Sequence, residues 1–296
     1  LQQALLQVKT VKGGADADEE PTAQAGNAGG GDLWLRNLHT GTDKIFKWVG
    51  DYVFNAQGTK LLLRIVKSRA DSGSMNAVLL IDLASGKTDT LSRHATELRN
   101  LAITEDGSKA AFLADRDTAR DTPHTWGLYL WQRSDDTARL WTGKHSAGML
   151  MGHTVSEHAV PYFSKSGKRL FLGTAPLPVA KDTALVDIDL VKLDVWHYKD
   201  DYLQTQQLYN LQNELKRSHL AVYDFGTDTL LQLGNKALLN VTVAPGGDGR
   251  WVVATTDTGR RASIQWSGSS IGRDVYAIDL TTGNRQLIRR NHKGNV

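Results

Sequence analysis

The sequence predicts an all-β fold: a β-propeller of four-stranded blades, incomplete in this chain, with one helical insert near 203–217. Three observations carry this. A two-part apolar phrase recurs along the chain, its copies lie roughly 40–50 residues apart, and each copy closes on Gly, Asp, Ser or Asn at turn positions. The first part is strand, tight turn with Gly, strand. It reads YVFNAQGTKLLL from Tyr52, LAITEDGSKAAF from Leu101, PYFSKSGKRLFL from Pro161 and VTVAPGGDGRWVV from Val241. The second part is another hairpin: DLWLRNLHTG from Asp32, VLLIDLASG from Val78, LAVYDFG from Leu220 and VYAIDLTTG from Val275, with a degenerate copy, LYLWQRSDD, from Leu128. Two hairpins make a four-stranded sheet, and repetition of such sheets is the signature of a propeller.

Taken in order, Leu1 to Thr10 gives no clear assignment. Gly13 to Gly31 is rich in Gly, Ala, Asp and Glu and too poor in large apolar residues to pack, so 1–31 reads as an N-terminal segment and flexible linker. Its acids Asp16, Asp18, Glu19 and Glu20 lack the spacing of a calcium loop. Residues 32–296 then read as a partial propeller: a leading half-blade at about 32–48 and blades at about 52–92, 100–141, 160–234 and 240–290. The chain opens on a second-type hairpin without its first-type partner and stops after another. The expectation is a piece of a longer polypeptide whose ring has about seven or eight blades; the alternative is a small ring closed by these termini.

Two inserts break the repeat. The larger, 175–218, holds LQTQQLYNLQNELKR from Leu203, where Leu208, Leu211 and Leu215 recur at helical spacing among good helix formers. The smaller, Asp257 to Arg273, is a polar loop with Trp266.

Composition excludes several classes. The net charge is +3 and the basic residues are dispersed, so nothing points to nucleic acid. There are no cysteines, which excludes disulfides, thiol catalysis and Cys-based zinc sites. No apolar run approaches the ~20 residues of a membrane-spanning helix. Gly29–Gly31 lacks the Lys-Ser/Thr of a phosphate loop.

The catalytic motifs present are near misses. Gly268–Gly272 matches G-x-S-x-G around Ser270, but a nucleophile elbow needs a helix next, and Arg273–Leu280 is a strand phrase. His153, Glu157 and His158 are spaced five rather than four and run into a strand, unlike a zinc helix. The other histidines are scattered singly. The best functional candidate is the phrase from Asp194. Asp194, Trp196, Tyr198 and Asp200 share a phase of two, followed by Asp201. One reading is a surface for a peptide or a second domain, with aromatic anchors and carboxylates. The other, which weighs more, has Trp196 in the blade core and Asp200–Asp201 as a turn and helix cap before Leu203.

The segment Asp194–Gln207 (DVWHYKDDYLQTQQ), with Phe163–Pro176 before it and Ser218–Tyr223 after it, resembles the propeller domain of bacterial prolyl oligopeptidase-family serine peptidases. The likeness is to the dipeptidyl peptidase IV-like N-terminal region of Bacteroidetes-type members. What the resemblance implies is a propeller that gates and orients peptide substrates. A Ser-Asp-His triad would sit on an α/β-hydrolase domain of the same polypeptide, outside this chain. It also implies an exported, periplasmic protein, no cofactor or metal, and no catalytic residue within 1–296. The adjacent Glu pair by which dipeptidyl peptidases hold a substrate amino terminus is matched only by Glu19–Glu20, which lack its aromatic context. The rival is a TolB-like propeller serving as a scaffold or binding module for protein partners. A propeller enzyme with its own metal site has the least support.

Overall fold

The computed structural model describes residues 6–11, 30–68, 73–117, 123–179, 195, 197, 200–262 and 271–294. These residues form two compact units, Leu1–Thr118 with Trp126–Thr142 and Val160–Phe163, and Ala119–Thr125 with Gly143–Ala159 and Ser164–Val296. The first unit contains β1 (Leu6–Val11), β2 (Gly31–Asn37), β3 (Asp43–Phe54), β4 (Lys60–Ile65), β5 (Ala77–Asp82), β6 (Thr88–Arg93), β7 (Glu97–Ile103), β8 (Lys109–Asp115), β9 (Gly127–Gln132) and β10 (Arg139–Thr142). The second contains β11 (His153–Val155), and after the short β12 (Tyr162–Phe163) come β13 (Arg169–Pro176), α1 (Gln204–Leu215), β14 (His219–Asp224), β15 (Thr229–Gln232), β16 (Asn240–Thr242), β17 (Trp251–Thr256), β18 (Arg273–Asp279) and β19 (Arg285–His292). The fold is nearly all-β, an incomplete β-propeller of antiparallel sheets, and α1 is the one long helix among the described residues.

In the first unit the strand orders are β1-β2-β3-β4-β5-β6 and β10-β9-β8-β7. The leading hairpin, expected as a separate half-blade, is continuous with the blade at 52–92. The twelve-residue β3 pairs with β2 through its first half and with β4 through its second. A bulge between Val49 and Asp51, with Trp48 at φ 60°, takes up Gly50 between the expected half-blade and blade. The unassigned N-terminal segment is a strand, β1, in register with β2 from Leu6↔Asn37 to Val11↔Asp32.

Why β4 reads as the unbroken run KLLLRI follows from its surroundings. Leu61 and Leu63 pack on one face with Leu33, Leu35, Val49 and Ile81. Leu62, between them, turns to the other face with Val78, Leu80, Leu98, Phe112 and Trp131. A sheet covered on both faces needs apolar residues in both phases of its period-two alternation. In the second unit the orders are β11-β13-β14-β15 and β16-β17-β18-β19, around a core of Phe171, Val222, Leu233, Val252, Ala254 and Ile278.

The repeated phrase resolves into two repeated devices. In three of the four first-type hairpins a buried polar residue follows the first strand: Asn55, Thr104 and Ser164. Its backbone N–H donates to the carbonyl five residues on, and its side-chain oxygen accepts that residue's N–H: Lys60 at 2.7 Å, Lys109 at 3.0 Å and Arg169 at 3.2 Å. The turn glycine, three residues on, sits at φ 65–67° in all three copies (Gly58, Gly107 and Gly167). The second device ties the hairpins together. A base at or beside the start of the second strand meets an acid ending the third: Lys60–Asp82 at 3.8 Å, Arg169–Asp224 at 3.0 Å and Arg250–Asp279 at 2.7 Å. In the remaining copy the register partner of Lys109 is Gln132.

Candidate functional site

Three of the candidate residues, Asp194, Trp196 and Tyr198, lie outside the described residues, as do Trp266 and Ser270. Asp200 and Asp201 are described, and they act differently. Asp200 closes a turn: its carboxylate accepts the His197 N–H at 2.8 Å while its own N–H donates to the His197 carbonyl at 2.9 Å. The helix cap expected of this pair is absent. Leu203 occupies the N-cap position with extended backbone (φ −59°, ψ 147°) and no side-chain cap, because Asp200 is already engaged three residues upstream.

Asp201 instead meets the second insert. Arg261 lies 5.2 Å over the ring of Tyr202, with Nη1 3.9 Å from Asp201 and Nε donating to Asp257 at 2.6 Å. The guanidinium side chain is 12% exposed, so its charge sits where an unpaired cation is costly, and two carboxylates and an aromatic face offset that cost. The two breaks in the repeat therefore converge, with the smaller insert clasping the N-terminal flank of α1. No spacing rule joins residues 201 and 261. The only hint was the adjacent arginines Arg260 and Arg261 directly after Asp257-Thr258-Gly259.

The helix itself covers Gln204–Leu215, within the expected span, but it buries no residue. Its apolar stripe faces outward: Leu208 is 52% exposed, Leu211 45% and Leu215 67%. At its end Arg217 ion-pairs with Glu214. That hydrogen bond holds the Glu214 carboxyl below its usual range, against a burial effect that would raise it, with Arg217 and Arg261 adding positive charge.

Beyond the helix stands His219, 3% exposed, with no partner for its Nδ1 and the His153 ring 6.4 Å away. Burial first, and then His153, depress its pKa, so it stands neutral near pH 7. His158 lies 4.0 Å from Glu157. Among the described residues no group of three or more His, Cys, Asp or Glu is placed to hold a metal ion. The strand expected after Gly268–Gly272 is present as β18, paired with β17 from Trp251↔Asp279 to Thr256↔Asp274. A strand, not a helix, follows the G-x-S-x-G match, so it lacks the context of a nucleophile elbow. Around the inserts, then, the apolar stripe of α1 is exposed.

No protein-family model matches the chain, and no curated protein matches it in sequence. Among solved structures, TolB from Acinetobacter baumannii is similar at 13% identity and a TM-score of 0.38, over 88% of this chain and 49% of that one. Porphyromonas gingivalis dipeptidyl peptidase 4 gives 14% identity and a TM-score of 0.44, over 88% of this chain and 37% of that one. The β-propeller domain of the Trilobed protease from Pyrococcus furiosus gives 11% and 0.33, over 88% and 77%. The chain spans under half the length of the first two. Its propeller architecture stands on its own sheets. No described helix is long and apolar enough to cross a membrane.

Proposed function

We propose that this chain is the substrate-gating and substrate-orienting propeller region of an exported serine peptidase of the prolyl oligopeptidase type. The hydrolase domain that carries the catalytic serine would lie outside these 296 residues. The observation that supports this most is α1. A helix inserted between β13 and β14 buries none of its own residues, yet is held in place by Arg261 and turns Leu208, Leu211 and Leu215 outward. An isolated helix of this length is marginal in water, and an amphipathic one is stabilised by covering its apolar stripe. The hydrolase domain of the same polypeptide is the cover this reading assigns, and it agrees with the family likeness carried by Asp194–Gln207. The propeller then supplies positioning and exclusion, and the chemistry belongs to a Ser-His-Asp constellation elsewhere.

The test is the native gene product. Its intact mass should stand far above the 32.5 kDa of this chain, and a fluorophosphonate probe should label one serine outside residues 1–296. The purified 296-residue chain should neither take the label nor hydrolyse peptides. Peptide hydrolysis by that chain alone would overturn the proposal. A native product without a reactive serine would do the same, leaving a TolB-like binding module as the reading.

A further inference from the structure

We infer that the first unit carries an oxyanion-binding pocket, independent of the peptidase reading, in which Arg93 and Arg116 receive a carboxylate or phosphate group. The pocket is an open depression of about 550 Å³, and its lining includes Leu91, Ser92, Arg93, Arg116, Tyr129 and Ala138. Its walls come from β6, from β9 and the residue that follows β8, and from the turn before β10.

Arg116 is held before any ligand arrives. Its guanidinium lies 4.9 Å over the Tyr129 ring, which stacks in turn on the fully buried Phe112 at 5.9 Å with planes 9° apart. One guanidinium nitrogen donates to the buried Ser92 hydroxyl at 2.9 Å. A guanidinium stacked on a ring and tethered by one bond has lost most of its rotamer freedom, which lowers the ordering cost of binding.

Both arginines retain unused donors. A guanidinium carries five N–H groups in a fixed fork. Arg116 directs one to Ser92, and Arg93 directs one to Thr90 at 3.3 Å. Elsewhere in the same unit Arg99 and Arg36 meet carboxylates at 2.6 Å and 3.6 Å. Neither Arg93 nor Arg116 has a carboxylate partner among the described residues. Two forks in one pocket, beside the half-buried Ala138 and Tyr129, fit an oxyanion attached to an apolar body: a chain-end or side-chain carboxylate, or a phosphate ester.

The experiment uses the 296-residue chain and calorimetric titration with three probes. These are an N-acetyl tripeptide with a free carboxylate, the same tripeptide amidated, and inorganic phosphate. Saturable, salt-sensitive binding of the free acid or of phosphate is expected, with no binding of the amide. Preference between the first and third identifies the source of the oxyanion. Arg116→Gln and Arg93→Gln should each weaken binding by about tenfold or more, as expected for a lost charge-assisted hydrogen bond. Arg116→Lys, which keeps the charge but not the fork, should fall between. Unchanged melting of the variants would place the loss in the pocket. The inference is overturned if neither oxyanion binds in the millimolar range, if the amide binds as well as the acid, or if both glutamine variants bind as the parent does.

Discussion

Asn55 offers the sharpest test of how the repeated hairpin is stabilised. It is 3% exposed, and its side chain makes four hydrogen bonds. Oδ1 accepts the Thr59 N–H at 2.9 Å and the Lys60 N–H at 2.7 Å, while Nδ2 donates to the Thr59 hydroxyl at 3.0 Å and the Glu105 carbonyl at 2.9 Å. The last bond reaches from the first sheet to the turn between β7 and β8 of the next. Asn55→Ala removes all four. Thr59 and Glu105 are exposed and regain water, whereas the half-buried Lys60 N–H does not. At about 1 kcal/mol net for an ordinary bond, and more for a donor left without an acceptor, the loss sums to about 2–3 kcal/mol. With an m-value of about 3 kcal/mol/M in urea, the midpoint should move down by about 0.7–1 M. Tryptophan fluorescence follows it, since the chain has 8 Trp. Asn55→Asp keeps both accepting bonds but sets a buried carboxylate oxygen against the Glu105 carbonyl, so it should lose at least as much. A shift below about 0.2 M for the alanine variant would refute the reasoning, for it would mean that the backbone turn and Gly58 hold the hairpin without the side chain.

The acid behaviour of the next copy follows from Asp106. Burial works to raise its pKa, but donors from the Thr104 hydroxyl and from the Ser108 N–H and hydroxyl outweigh it and bring it down to about 2. A depressed carboxylate stabilises the fold above its unfolded pKa, so that contribution should fade as pH drops from about 4 to about 2. Asp106→Asn should flatten that part of a melting-temperature profile against pH. Gly148 and Gly58 should separate two costs. Both have positive φ, but a Cβ at Gly58 meets nothing within 4 Å, whereas at Gly148 it comes within 2.4 Å of the Leu230 carbonyl oxygen. Gly58→Ala should therefore cost about 1–2 kcal/mol from backbone strain alone, and Gly148→Ala clearly more in the same urea assay. Finally, Arg261→Ala should release the flank of α1: faster tryptic cleavage at Lys216 and Arg217 with little change in global melting. Unchanged cleavage would mean that Asp201 and Tyr202 do not depend on the clasp.

Much of the architecture is legible in the sequence. The hairpins announce themselves because alternating apolar residues and a left-handed glycine are local requirements, as at Asn55–Lys60 and Ser164–Arg169. The helix was legible for the same reason: Leu208, Leu211 and Leu215 lie within two turns of one another. Its cap was misread because Asp200 and Asp201 are residue types that favour an N-cap, and nothing local shows that Asp200 is already closing a turn on His197. The break expected between half-blade and blade failed similarly. Gly50 and Asp51 look like a turn in sequence, yet the paired strands on either side absorb them as a bulge.

The candidate site was less legible. Asp201 was picked out for its neighbours in the chain, while what it touches, Arg261, is sixty positions away. Arg93 and Arg116 gave no signal at all, since they belong to different blades and what they share is the pocket that both line. By itself, then, the sequence determined the strands, the turns and the all-β repeat, because each depends on interactions spanning only a few residues. Only the tertiary structure decided that the two inserts meet, that the helix leaves its leucines uncovered, and that two arginines face one pocket. Those facts depend on which distant groups satisfy, or fail to satisfy, one another's charge and apolar surface.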